Sequence, residues 1–107
     1  MSRKPGTDVD GNPFSLQVIQ TVWNKGVIVA GIDPTAKRKD GCGAWIERNQ
    51  YNICENNGTG WEIDHIKPVI LRGNDDISNL QPLQWQNNRS KGNIYPGSVC
   101  SKEAEAG

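Results

Sequence analysis

The sequence predicts an α+β fold class: a helical or irregular lead-in, then a β-hairpin closed by a short helix. Three observations carry that prediction. Between Phe14 and Asn24 the apolar residues Phe14, Val18 and Val22 recur every four, with Ile19 and Trp23 beside them, which is helical spacing. The stretches Trp61-Glu62-Ile63-Asp64 and Asn79-Leu80-Gln81-Pro82-Leu83 alternate apolar and polar residues, as half-buried strands do. Trp85 to Lys91 then reads as a short helix stopped by Gly92.

Taken in order, residues 1–13 are polar and hold Pro5, Gly6, Gly11 and Pro13, and are expected to be a flexible arm. Asp8-Val9-Asp10-Gly11-Asn12 superficially resembles a calcium loop. It fails on Pro13, where the loop needs glycine, and on Ile19, where it needs the bidentate glutamate. The helix from Phe14 takes Ser15 as N-cap and Gly26 as stop, with a Val/Ile-rich strand as the rival reading. Val27 to Ala30 is a strand or a buried connector, and Asp33-Pro34 resembles a cap followed by proline at the first helical position. Trp45-Ile46 is a core plug, and residues 49–60, rich in Asn and Gly, form a loop. Residues 14–94 are expected to form one domain, with its core motif at 61–93, and 95–107 a flexible tail.

The totals bound the function. A chain of 107 residues supports one modest core, and hydrophobic residues at 35% make it lean. No apolar run approaches the roughly 20 residues that span a membrane, and the N-terminus shows no apolar signal region, so a cytoplasmic protein is expected. Three cysteines (Cys42, Cys54, Cys100) without a CxxC pair argue for reduced thiols, and four zinc ligands cannot be assembled without taking the one histidine. Twelve basic residues balance twelve acidic ones, which counts mildly against tight nonspecific DNA binding. The densest basic cluster, Lys37-Arg38-Lys39, is either a phosphate contact or a solvated loop.

The chemistry concentrates in 61–93. The single histidine, His65, follows Asp64; Asn79 lies fourteen residues on and Asn88 twenty-three. The phrases Asp75-Asp76, Ser78-Asn79-Leu80-Gln81-Pro82-Leu83 and Asn88-Arg89-Ser90-Lys91-Gly92 complete the set. This stretch resembles the HNH endonuclease family, also called the ββα-metal fold, over about a third of the chain. The resemblance implies a nuclease acting on DNA phosphodiesters, with His65 as general base, Asp64 and Asn88 as ligands of one divalent ion, and Asn79 orienting the base. Oxygen ligands of that kind suit Mg2+ or Mn2+. Lys91, three residues after Asn88 on a similar helix face, and Arg89 are candidate DNA contacts, with Lys37, Arg38 and Lys39 behind them. Glu62 is expected to face solvent, with an accessory metal or water role as the alternative, and Asp75 and Asp76 to cap the loop. Because neighbours on a strand point to opposite faces, Asp64 and His65 can share one centre only if the strand bends or ends there.

The chain departs from many relatives at Gln84 and Asn87, where they place a zinc-binding CxxC. No structural zinc is expected, and Trp85, Trp61 and Trp45 are expected to cluster in its place. Three functions remain open: a metal-dependent endonuclease, a nucleic-acid-binding HNH-fold module with little activity alone, and a nuclease toxin. A homodimer or a larger restriction or phage assembly is compatible with each.

Overall fold

The computed structural model describes residues 3–97 and 100–103. Helix α1 (Leu16–Trp23) is followed by β1 (Lys37–Lys39), β2 (Trp45–Glu47), β3 (Trp61–His65), β4 (Leu80–Gln84) and helix α2 (Trp85–Lys91). Single 3-10 turns lie at Arg48–Gln50, Val69–Leu71 and Ile77–Asn79. The sheets are two antiparallel hairpins, β1-β2 and β3-β4. The chain is α+β, as its patterning predicts.

Helix α1 starts where Ser15 Oγ accepts the Val18 amide at 3.2 Å, one of the free donors every helix start leaves. Its apolar stripe buries Ile19, Val22 and Trp23, while Leu16 off the stripe is 80% exposed. Each buried side chain contributes about 1.5–3 kcal/mol. Gly26 follows the helix because a Cβ there would stand 3.0 Å from Arg38 Cδ and 3.1 Å from Trp23 O. A larger residue here would require Arg38 or the helix end to give by a few tenths of an ångström. The Asp33-Pro34 pair does not start a helix: Asp33 Oδ1 accepts both the amide and the hydroxyl of Thr35, an Asx turn that competes with helix initiation. Of the Val27 to Ala30 run, Val27 alone pairs, as an isolated bridge to Lys39.

In β1-β2, Arg38 pairs with Ile46 and Lys39 with Trp45. The strand period sends Ile46 into the core and Trp45 outward. Trp45 therefore carries the Lys37 and Lys39 ammonium groups over its ring, at 4.6 and 4.8 Å. The expected cluster of Trp45, Trp61 and Trp85 does not form. Trp61 packs instead on Trp23 and Tyr51, at ring separations of 5.3 and 4.8 Å, and Trp85 lies partly exposed beneath Arg89.

The β3-β4 ladder runs from Trp61↔Gln84 to His65↔Leu80, and one further bond joins Ile66 N to Asn79 O. Pro82 sits in β4 without disruption because a two-stranded sheet leaves an edge that needs no donor. All five β3 residues are buried. Consequently Glu62, expected to face solvent, is only 3% exposed. α2 packs against both strands of the hairpin, and the segment expected as a flexible arm lies against Glu62, where a Cβ on Gly6 would be 3.5 Å from Glu62 Cβ.

The cysteine expectation is overturned. Cys42 and Cys100 form a disulfide across 58 residues, leaving Cys54 as the free thiol. Chain separation hides the proximity, which arises because the 100–103 segment lies back across α2 and hydrogen bonds Asn87 through Lys102. Residues 98, 99 and 104–107 of the expected tail, and 1 and 2 of the expected arm, fall outside the described residues. No helix among the described residues is long and apolar enough to cross a membrane.

Candidate active site

The end of β3, the start of the following loop and one face of α2 enclose a cavity of about 250 Å3, lined by Asp64, His65 and Asn88 and closed on one side by Arg3, Pro5 and Gly6. Strand β3 ends at His65, with bends at Ile66 and Lys67. That ending lets the neighbours Asp64 and His65 line one cavity despite the strand's alternation.

His65 is 4% exposed. Its Nε2 lies 2.7 Å from Asp75 Oδ1, and Phe14 stands 6.0 Å from its ring. A carboxylate accepts only, so this bond assigns the ring proton to Nε2 and leaves Nδ1 as the basic nitrogen. Asp75 is itself held by the Val9 amide, 3.2 Å from each carboxylate oxygen. The residue expected to cap a loop thus orients the histidine. Its sequence signal was weak: a carboxylate ten residues past the histidine, in a loop.

Asn79 lies beneath that loop. Its Oδ1 accepts the Lys67 amide at 2.8 Å, and its Nδ2 donates to Asn74 O at 2.9 Å and to Lys67 O at 3.2 Å. These bonds tie both ends of the 67–74 excursion together. Gly73 belongs to the same device, since a Cβ there would overlap Lys67 O. None of the hydrogen bonds Asn79 makes among the described residues goes to His65. Asn79 reaches the histidine through the loop that carries Asp75.

Asp64 is 6% exposed. Its Oδ2 receives Gln81 Nε2 at 2.9 Å and lies 3.3 Å from Lys91 Nζ. Burial pushes the Asp64 carboxyl above the usual carboxylate range, with the Gln81 hydrogen bond and the Lys91 charge opposing. Asn88 is 9% exposed and donates Nδ2 to Glu62 Oε1 at 2.8 Å. Among the described residues, buried and unpartnered side-chain polar atoms reduce to Trp61 Nε1. Asp64 Oδ1, Asn88 Oδ1 and His65 Nδ1 carry no hydrogen bond among the described residues, and all three residues line the cavity.

Two unpartnered oxygens beside a basic nitrogen fit a hard divalent cation whose remaining ligands are water and phosphate. No group of three His, Cys, Asp or Glu side chains that could enclose a metal occurs among the described residues. Any ion here is held by few protein ligands.

The basic candidates divide. Lys91, expected on phosphate, is 1% exposed and bonded to Asp64 and to His65 O at 3.1 Å. Arg38, 9% exposed, is spent on the carbonyls of Pro34, Asn24 and Gly26. Both are corrections: these cations fill internal acceptors. Lys37 and Lys39 flank Trp45 on the outer face of β1-β2, and Arg89 lines the cavity while bonded to Glu62.

Gln84 and Asn87, both 0% exposed, converge on Asp40. Its Oδ2 accepts Gln84 N at 2.9 Å and Asn87 Nδ2 at 3.0 Å; its Oδ1 accepts Ala44 N at 2.8 Å and Cys42 N at 3.0 Å. This anchor joins the two hairpins and α2 just behind Asn88.

No curated protein and no solved structure matches the chain. A family model described as HNH endonuclease matches residues 50–93, a span that contains Asp64, His65, Asp75, Asn79 and Asn88 on a hairpin followed by a helix, and over this segment the chain is similar to the HNH endonuclease family.

Proposed function

We propose that the chain is a metal-dependent HNH endonuclease that hydrolyses DNA phosphodiester bonds. The carrying observation is that Asp64, His65 and Asn88 line one cavity and that Asp64 Oδ1, Asn88 Oδ1 and His65 Nδ1 have no hydrogen-bond partner among the described residues. Asp64 and Asn88 would hold the divalent ion, Mg2+ or Mn2+, which when bound supplies a Lewis acid at the phosphate. His65 Nδ1 takes the proton of the attacking water. Asp75 fixes the tautomer and stabilises the imidazolium that forms, the role a carboxylate partner plays for a general-base histidine. Asn79 keeps the loop, and hence Asp75, in register. Lys91 neutralises Asp64 from behind and ties α2 to the end of β3. Of the five cations singled out as DNA contacts, Lys37, Lys39 and Arg89 are left to meet DNA backbone.

The test is supercoiled plasmid incubated with wild type and His65→Ala in Mg2+, Mn2+ or EDTA. Relaxation that needs metal and falls by about 10^2–10^4-fold in the variant is the expected result. Cleavage that survives EDTA, or that persists undiminished in His65→Ala, would overturn the reading. A second reading, a DNA-binding HNH-fold module with little activity alone, draws support from the burial of Lys91 and Arg38, which removes two of the five cations singled out as DNA contacts. Metal-independent DNA retention without cleavage would favour it.

A further inference from the structure

Glu62 is a buried carboxylate for which the reaction above has no use. It stands on β3 opposite Leu83, is 3% exposed, and carries four hydrogen bonds, one of them from Cys54 Sγ to Oε2 at 3.9 Å. Oε1 accepts Asn88 Nδ2 at 2.8 Å and Arg89 Nε at 3.2 Å, and Oε2 accepts Arg89 Nη2 at 2.9 Å. Arg89 is itself half exposed, its side chain at 45%. A Glu–Arg pair placed only for attraction could lie at the surface, where desolvation is avoided. Here the carboxylate is taken inside and aimed at an amide.

That amide is the group whose orientation matters. The two ends of an asparagine side chain have nearly the same shape, and only hydrogen bonding decides which faces which way. A flipped Asn88 would present its NH2, a donor, to a cation. A carboxylate accepts only, so Glu62 holds Nδ2 and leaves Oδ1 as the end facing the cavity. Arg89 grips both Glu62 oxygens and keeps the carboxylate from rotating away. Gly6 covers the stem of Glu62, with a positive φ of 75° and room for no large side chain.

We propose that Glu62, clamped by Arg89, is a positioning residue that fixes the Asn88 amide with its oxygen toward the divalent ion. The proposal rests on the reading of Asn88 as a metal ligand. It gives Arg89 a first duty inside the protein, ahead of any contact with DNA.

The experiment is Mn2+ titration by calorimetry, without DNA, on wild type, Asn88→Ala, Glu62→Gln and the double variant Glu62→Gln/Asn88→Asp, each checked for folding by circular dichroism. Asn88→Ala tests the underlying reading: if it binds Mn2+ like wild type, Asn88 is no ligand and the proposal falls with it. Given weakened binding there, Glu62→Gln is expected to bind about 10- to 100-fold more weakly, the usual effect of losing a partner that orients a ligand. The double variant is expected to recover to within a few-fold of wild type, because both oxygens of the introduced carboxylate accept and orientation ceases to matter. Wild-type affinity in Glu62→Gln, or failure of the double variant to recover, would overturn the proposal and leave Glu62 a structural residue. Should Glu62→Gln not fold, Glu62→Asp keeps the charge, shortens the reach and is expected to lose affinity likewise; wild-type affinity there would equally refute it. In metal-free wild type, the Asn88 side-chain NH2 is expected to show slowed hydrogen exchange, and fast exchange would count against the clamp.

Discussion

Replacing Asp40 with alanine should damage this fold more than any single surface change. The side chain is 1% exposed and receives four donors, of which Ala44 N, Gln84 N and Asn87 Nδ2 are fully buried. Removing the carboxylate orphans Ala44 N and Gln84 N and leaves Asn87 Nδ2 with its bond to Lys102 O alone. Each buried donor left without a partner costs about 1–3 kcal/mol, so the simple sum for the two runs to roughly 2–6 kcal/mol. Water can enter the space the carboxylate vacates and serve some of these donors. We therefore expect about 3–5 kcal/mol, the range found when one member of a buried charged network is removed. For a domain of this size each kcal/mol moves Tm by about 4–8 °C, so Asp40→Ala should melt at least about 12 °C below wild type. Asp40→Asn should do little better, since its NH2 would face two donors. The assay is thermal unfolding by circular dichroism with and without EDTA, and the chelator is expected to leave Tm unchanged in both proteins. Melting of Asp40→Ala within about 2 °C of wild type would refute the reasoning, and the anchor joining α2 to the hairpins would have to lie elsewhere.

Lys91→Ala should lower stability by about 3–5 kcal/mol, because it strands Asp64 without its buried partner, whereas Lys37→Ala/Lys39→Ala should leave Tm alone and reduce the salt slope of DNA binding by about two; thermal melts and binding at several salt concentrations separate the two. Reduction with dithiothreitol, or Cys42→Ser, should cost about 2–4 kcal/mol, since the bridge closes a loop of 58 residues; an unchanged denaturation midpoint would mean that the bridge constrains little. Such a bridge persists in oxidising surroundings, so the same experiment bears on the expected cytoplasmic setting. Because burial raises the Asp64 carboxyl above its unfolded value, the folded state holds that proton more tightly. Its contribution to stability is therefore present below the unfolded pKa and is lost as pH rises through the folded one. Metal affinity runs the other way, as a protonated carboxyl is no ligand. Calorimetric Mn2+ affinity should fall with acidification sooner than for an ordinary carboxylate, and a flat profile down to the usual carboxylate range would exclude Asp64 as ligand.

The sequence revealed the hairpin and its closing helix because their signals are local. Trp61 to Asp64 and Leu80 to Leu83 carry the strand period, Gly92 stops α2, and Ser15 caps α1. What it concealed depends on which faces are covered. Alternation marks Glu62 as polar and hence outward only if one side of the hairpin is wet. Both sides of β3 are buried, so the period gives the strand and misassigns the residue. Asp40 meets Gln84 across 44 residues and Asn88 meets Glu62 across 26, and no local pattern announces such pairs. Lys91 is different, because its signal was present and was read toward the wrong partner. The three-residue step from Asn88 that puts both on one helix face also fixes which face that is. If Asn88 must reach a site built on the end of β3, Lys91 must point at β3 as well. There it finds Asp64 and the His65 carbonyl. A lysine sharing a helix face with an inward-pointing ligand is a counter-ion for the site before it is a contact for DNA.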